Sequence, residues 1–132
     1  MNLVVDTSVI IAAITKEAHK KQLIQLTKGA DLIAPHSLHW EVGNAFSAMF
    51  KRHRITLEQA AVAIEAYHLI PIRFADVELD LALQLAADLD IYAYDAYVIG
   101  CALKHRSPLV TLDSGLMNAA RNAGANVREV QL

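Results

Sequence analysis

Two kinds of segment alternate along the chain. Leu3-Val4-Val5, Leu32-Ile33-Ala34 and Leu109-Val110-Thr111-Leu112 are short, apolar and rich in β-branched residues, which is the pattern of buried strands. Pro71-Ile72-Arg73 and the stretch around Val127 read as further short strands. Between them the apolar spacing changes to three and four residues. From Ser37 to about His53, the residues Leu38, Val42, Ala45, Phe46, Met49 and Phe50 share one helical face. Thr56-Leu57-Glu58-Gln59 matches a capping box and starts a helix that runs to about His68. Asp6-Thr7-Ser8 caps a helix through about Ile14, and a helix from Lys20 to Thr27 stops at Gly29. Residues 77–89 alternate like a strand but also place Val77, Leu81, Leu85 and Leu89 on one helical face. Their Leu, Ala, Glu and Gln content favours helix. Further helices are expected from Tyr94 or Asp95 to about His105, and from Asp113-Ser114 to about Asn122, with Gly124 ending the second.

Short strands alternating with amphipathic helices predict an α/β fold, a central parallel sheet flanked by helices on both faces. The 132 residues fit one domain, and a 55% hydrophobic composition is enough for a real core. Twelve Lys plus Arg against 14 Asp plus Glu give a formal charge of −2, which excludes coating of nucleic acid or anionic membrane by bulk charge. The single cysteine, Cys101, excludes an internal disulfide framework and any multi-cysteine zinc site. No basic residue precedes the first apolar run, as one would in a signal peptide, and Ala96–Leu103 is too short an apolar run to span a bilayer. A soluble, cytoplasmic protein with no membrane partner is expected.

In a parallel α/β fold, ligands bind beyond the carboxyl ends of the strands. Asp6 and Asp113 each follow a predicted strand directly, Asp95 opens a predicted helix, and Glu41 lies near the start of the helix after the second strand. Alone, each Asp reads as a helix cap and Glu41 as a partner of the helix dipole. Together, with Thr7, Ser8, Thr111 and Ser114 beside them, they make an oxygen-rich cluster of the kind that hard divalent cations require. Asn44 shares Glu41's side of its helix and can orient a ligand or a water.

Four motifs in order, Val4-Val5-Asp6-Thr7-Ser8, Glu41-Val42-Gly43-Asn44-Ala45, Tyr94-Asp95-Ala96-Tyr97 and Val110-Thr111-Leu112-Asp113, resemble those of PIN-domain ribonucleases, and within them the VapC-type toxins of bacterial toxin–antitoxin pairs. The resemblance covers essentially the whole chain, residues 1–132. It implies that Asp6, Glu41, Asp95 and Asp113 are the catalytic acids, supported by Ser8, Asn44 and Thr111. It implies hydrolysis of RNA phosphodiesters by metal-activated water, with Mg²⁺ (or Mn²⁺) as cofactor. Asp6 and Asp95 are the first choices as metal ligands. Asp113 is either a ligand to a second ion or a residue that positions water, and Glu41 either orients that water or acts as its base. The implied partners are RNA, a cognate antitoxin and a second copy in a homodimer. Gly43 stands where related toxins often carry a larger residue, a variation expected to be one of packing.

Other signals are weaker. His36 and His39 suggest a zinc pair but lack a third nitrogen or sulfur ligand. Cys101 reads as a buried small residue, and Trp40 as core or interface packing rather than a base platform. The basic runs Lys51-Arg52-His53-Arg54 and Lys104-His105-Arg106 are either ordinary helix ends or phosphate contacts, which makes Lys51, Arg52 and Arg54 candidate RNA-binding residues. Two other functions compete with the nuclease. A phosphatase with Asp6 as nucleophile would want an acid two residues on, where Ser8 stands. A non-catalytic binding module would be free to lose an acid, and none is lost. Setting the four acids aside changes the formal charge from −2 to +2, so the remaining surface is mildly basic.

Overall fold

The computed structural model describes residues 1–15 and 20–130. The strands are β1 (Asn2–Val5), β2 (Asp31–Pro35), β3 (Ile72–Ala75), β4 (Leu109–Val110) and β5 (Val127–Arg128). The helices are α1 (Thr7–Ile14), α2 (Lys20–Thr27), α3 (Ser37–Lys51), α4 (Leu57–His68), α5 (Leu79–Leu89), α6 (Ala93–His105) and α7 (Ser114–Asn122). All strand pairs are parallel, in the order β3-β2-β1-β4-β5.

Strand alternation sorts the helices into two layers. Leu3, Val5, Ala34 and Val110 point to one face and pack with apolar residues of α1, α2, α3 and α4. Val4, Ile33 and Leu109 point to the other and pack with α6 and α7. β1, β2 and β4 are therefore buried from both sides, which is why they read as unbroken apolar runs. The order of strands reverses direction at β1, so the crevice between the carboxyl ends of β1 and β4 is the switch point of the sheet.

The segment whose two periodicities compete is helix α5, and it packs on α6 through Val77, Leu81 and Leu85. A Cβ built on Gly100 of α6 would lie 2.9 Å from Val77 Cγ1, so only glycine admits this approach. Thr56 caps α4 with both halves of the capping box formed. Three expectations shift. α3 ends at Lys51 rather than His53, which takes a left-handed φ of 55° that no helix continues. β4 ends at Val110, because Thr111 is drawn out of the ladder to hydrogen-bond Asp6. Gly43 faces open space with nothing within 4 Å of a Cβ, so packing does not require glycine there.

These two glycines should respond oppositely to substitution. Gly100→Val is expected to lose about 1–3 kcal/mol by overpacking. Gly43→Ala is expected to gain about 0.5–1 kcal/mol by lowering the freedom of the unfolded chain and raising helix propensity. Urea unfolding monitored by circular dichroism reads both.

Candidate active site

The carboxyl edge at the switch point is held together by two hydroxyls. Asp6 follows β1 and caps α1, with Oδ1 accepting from Val9 N at 3.2 Å. Ser8 Oγ donates to the same oxygen at 2.7 Å, and Thr111 Oγ1 donates to Oδ2 at 2.6 Å. Each hydroxyl also accepts a backbone bond from across the crevice or beside it. Leu112 N donates to Ser8 Oγ at 3.0 Å, and Asp113 N donates to Thr111 Oγ1 at 3.0 Å. The ends of β1 and β4 are thus stitched through Asp6. Thr111 is fully buried and Asp6 is 6% exposed.

Asp113 caps α7 with Oδ1, which accepts from Gly115 N at 2.9 Å and Leu116 N at 3.1 Å. Its Oδ2 takes no bond among the described residues. Glu41 is the fifth residue of α3, so it lies in the second turn rather than at the helix start. Asp95 is the third residue of α6, with Tyr92 and not Asp95 as the cap. Asn44 is exposed one turn beyond Glu41.

The four acids feel one another. Burial raises the carboxyl of Asp6 above the usual range against the pull of its hydrogen bonds to Thr111, Ser8 and Val9, and the Asp113 charge adds to the rise. Burial first, then the charges of Asp6 and Asp95, push Glu41 from 4.5 to about 7. Thr7 Oγ1, buried and outside hydrogen-bond geometry with any partner, opposes this least of all the influences. Burial and the Asp113 charge raise Asp95. No Lys or Arg pairs with any of the four among the described residues, whose ion pairs are His36–Asp76, Lys104–Glu78 and Arg121–Glu129. Clustered carboxylates without a cation are the donor set a hard divalent ion takes. Among the described residues, no three such side chains close around one point as a ready cage.

Residues 3–122 match the family described as PIN domain. The chain belongs to the PIN-domain family. Among solved structures, this PIN domain is similar to PAE2754 from Pyrobaculum aerophilum, at a TM-score of 0.74 and 21% identity over 98% of this chain and 84% of that one. It is similar to VapBC2 from Rickettsia felis, solved bound to a DNA fragment from their promoter, at 0.71 and 16% over 99% and 100%. It is also similar to VapC20 from Mycobacterium tuberculosis, a Sarcin-Ricin loop cleaving toxin, at 0.64 and 17% over 89% and 94%. No curated protein matches the chain in sequence.

Several other candidates fall elsewhere. A helix that follows a parallel strand runs back toward the amino edge of the sheet. Lys51 therefore lies about 15 Å along α3 from Glu41. Arg54 lines a cavity with Ile14, Thr15 and Lys20. This basic run does not rim the carboxylates. Lys104 is committed to the Asp76 carbonyl at 2.9 Å and to Glu78 Oε1 at 3.0 Å. His36 pairs with Asp76, and His39 Nδ1 lies 3.4 Å from the Tyr67 hydroxyl, so the two do not form a zinc pair. Cys101 is fully buried, and burial pushes its thiol up to about 11, which leaves no nucleophilic thiolate. Trp40 is 67% exposed, which excludes the core and leaves the interface alternative. Asp76 was not prominent in the sequence, although it directly follows a strand as Asp6 does.

The raised carboxyls tie stability to pH. Between about 4.5 and about 7, folded Glu41 keeps a proton that the unfolded chain has released, so stability of the ion-free protein falls as pH rises through this window. Asp6 and Asp95 are shifted in the same direction. Glu41→Gln should be more stable than the unsubstituted protein above pH 7 by roughly 1–2 kcal/mol, after discounting for Glu41's partial exposure, and the difference should vanish below pH 4.5. Thermal unfolding in EDTA across pH 4–8 measures both.

Proposed function

We propose that this PIN domain is a divalent-metal-dependent endoribonuclease, the toxin of a VapBC-like pair, and that a cognate antitoxin neutralises it. The observation that carries the reading is the uncompensated charge at the switch point, where burial and neighbouring carboxylates raise the pKa of Asp6, Glu41 and Asp95 beside Asp113, with no basic partner among the described residues. PIN-family membership and the similarity to VapBC2 and VapC20 support it.

Asp6 and Asp95 would hold Mg²⁺ (or Mn²⁺), with Asp113 as the third carboxylate at the edge. The ion supplies charge neutralisation at the phosphoryl oxygens and an activated water when bound. The chain's own residues do the rest. Ser8 and Thr111 fix both oxygens of Asp6 so that its carboxylate cannot swing. Glu41, with a carboxyl near neutrality, can take a proton from water at its own oxygen, because a base works best with a pKa near the working pH. Asn44, one turn on, would orient substrate or water. Lys51, Arg52 and Arg54 stand outside this proposal because of their distance from the acids.

The phosphatase alternative is disfavoured by the same bonds. Both oxygens of Asp6 accept strong hydrogen bonds, and Ser8, at the position where an acid–base Asp would be needed, is spent on Asp6 and Leu112 N. A scaffold with only a binding role would gain stability by losing these repelling acids, and it keeps all four.

An apolar cavity of about 240 Å³ between α1, α2 and α4, lined by Val9, Ile10, Ile14, Leu23 and Ile70, supports an antitoxin partner. A second cavity shares Ile14 and Ala66 with it and adds Lys20 and Arg54 at its wall. Together they offer a groove for an apolar peptide with acidic flanks.

Purified protein should cleave RNA with Mg²⁺ or Mn²⁺ and stop in EDTA. Asp6→Asn and Asp95→Asn should each lower the rate by roughly 100-fold or more. Full activity in EDTA, or in both variants, would sink the mechanism. Expression in bacteria should arrest growth unless the antitoxin is co-expressed, and unimpeded growth with folded protein present would count against the toxin assignment.

A further inference from the structure

A cavity of about 190 Å³ opens beside the carboxylates, between the ends of β2 and β3. Its polar walls are His36, Ser37, Asp76 and Tyr97, with Pro35 and Ala75 beneath. Pairing of Val4 with Ile33 and of Pro35 with Ala75 places Asp6 level with Pro35, and His36 level with Asp76. At about 4.8 Å per strand, the cavity lies roughly 5–10 Å along the edge from Asp6. Ser37 stands one turn before Glu41 on the same stripe of α3, so the cavity and the acidic edge share a wall.

The lining is built for a flat, hydrogen-bonding ligand. The His36 ring stacks on Phe74, with centroids 5.9 Å apart and planes inclined by 20°. His36 Nε2 donates to Asp76 Oδ1 at 3.0 Å, which leaves Asp76 Oδ2 as an acceptor. Lys104 pins the loop that carries Asp76 by bonding its carbonyl, not its carboxylate. Ser37 Oγ is buried with no partner. The Asp76 carboxylate repels a phosphate. The same carboxylate favours a group that offers N–H.

We infer that this cavity seats the nucleobase next to the scissile phosphate, and that Asp76 makes it prefer a base with an exocyclic amino group (cytosine, adenine or guanine) over uracil. A carboxylate accepts from such an amine, whereas the O4 of uracil would face it acceptor to acceptor. The stacked His36 is the platform on which the base lies, and Ser37 and Tyr97 wall its remaining edge. The inference rests on the ribonuclease reading above and adds the determinant of its sequence preference.

The test is end-sequencing of RNA cut by the unsubstituted protein, Asp76→Asn and Tyr97→Phe. Asp76 is highly exposed, and Asn keeps an acceptor for His36 while offering an amide N–H to uracil O4. The unsubstituted protein should favour amino-bearing bases over uracil at one position flanking the cut by about tenfold or more, and Asp76→Asn should erase that ratio. A merely structural role would slow all sites equally and leave the ratio unchanged. An unchanged ratio in both variants overturns the inference while leaving the nuclease reading standing. A second arm needs no cleavage. In EDTA, CMP and UMP are titrated while the His36 imidazole signals are followed by NMR. CMP should shift them at roughly tenfold lower concentration than UMP. No response to either nucleotide, or an equal response to both, overturns the inference. If the unsubstituted protein cuts no RNA, the nuclease reading falls, and this arm alone decides what the cavity binds.

Discussion

A carboxylate that is 6% exposed, with no Lys or Arg paired to it among the described residues, is the constraint on which the rest of this structure turns. Asp6 is tolerated there because three donors meet its two oxygens; one of them, Thr111, comes across the crevice from the segment after β4, and another, Ser8, accepts from Leu112 N of that segment. Thr111 leaves the sheet early to make its bond, which shortens β4 and opens the crevice at the point where the strand order reverses. Helix α1 starts where it does because the same Asp6 caps it. One side chain thus fixes a strand end and a helix start.

The cluster works against stability. Carboxylates at the sheet edge raise one another's pKa, and the ion-free protein carries that repulsion at neutral pH. Folds generally concentrate such conflicts at functional sites and offset them elsewhere. Here the offset is visible in the doubly covered strands Leu3–Val5 and Ile33–Ala34, which are fully buried. The core is dry and apolar so that the edge can be charged.

Much of this was legible in the sequence. The strand runs, the capping box at Thr56 and the helix from Lys20 to Thr27 follow from local pattern, since period, caps and breakers are local properties. The ambiguous segment at 79–89 resolved through residue type, because unbranched Leu and Ala suit a helix that packs on α6. Asp6 and Asp113 could be placed at the carboxyl edge from sequence because each comes after an apolar strand, whereas Glu41 and Asp95 lie within helices α3 and α6. The basic run at Lys51–Arg54 was misplaced for a related reason. Sequence shows that the charges are clustered, but only the reversal of the chain through α3 shows which edge they reach. Asp76 escaped notice because its partner, His36, is 40 residues away and is brought to it only by the pairing of β2 with β3.

The geometry of α3 has a further consequence for control of the protein. The acids sit at one edge of the sheet, and the cavity walled by Arg54 and Lys20 at the far end of α1. A peptide seated only in that cavity leaves the acids open. A peptide that also reaches the acids is bivalent, and its second contact forms at the high effective concentration that the first creates. Recognition and inhibition then occupy separate surfaces. Residues around Ile14, Ile55 and Val62 can drift to change which partner is accepted, while the chemistry at Asp6 stays fixed.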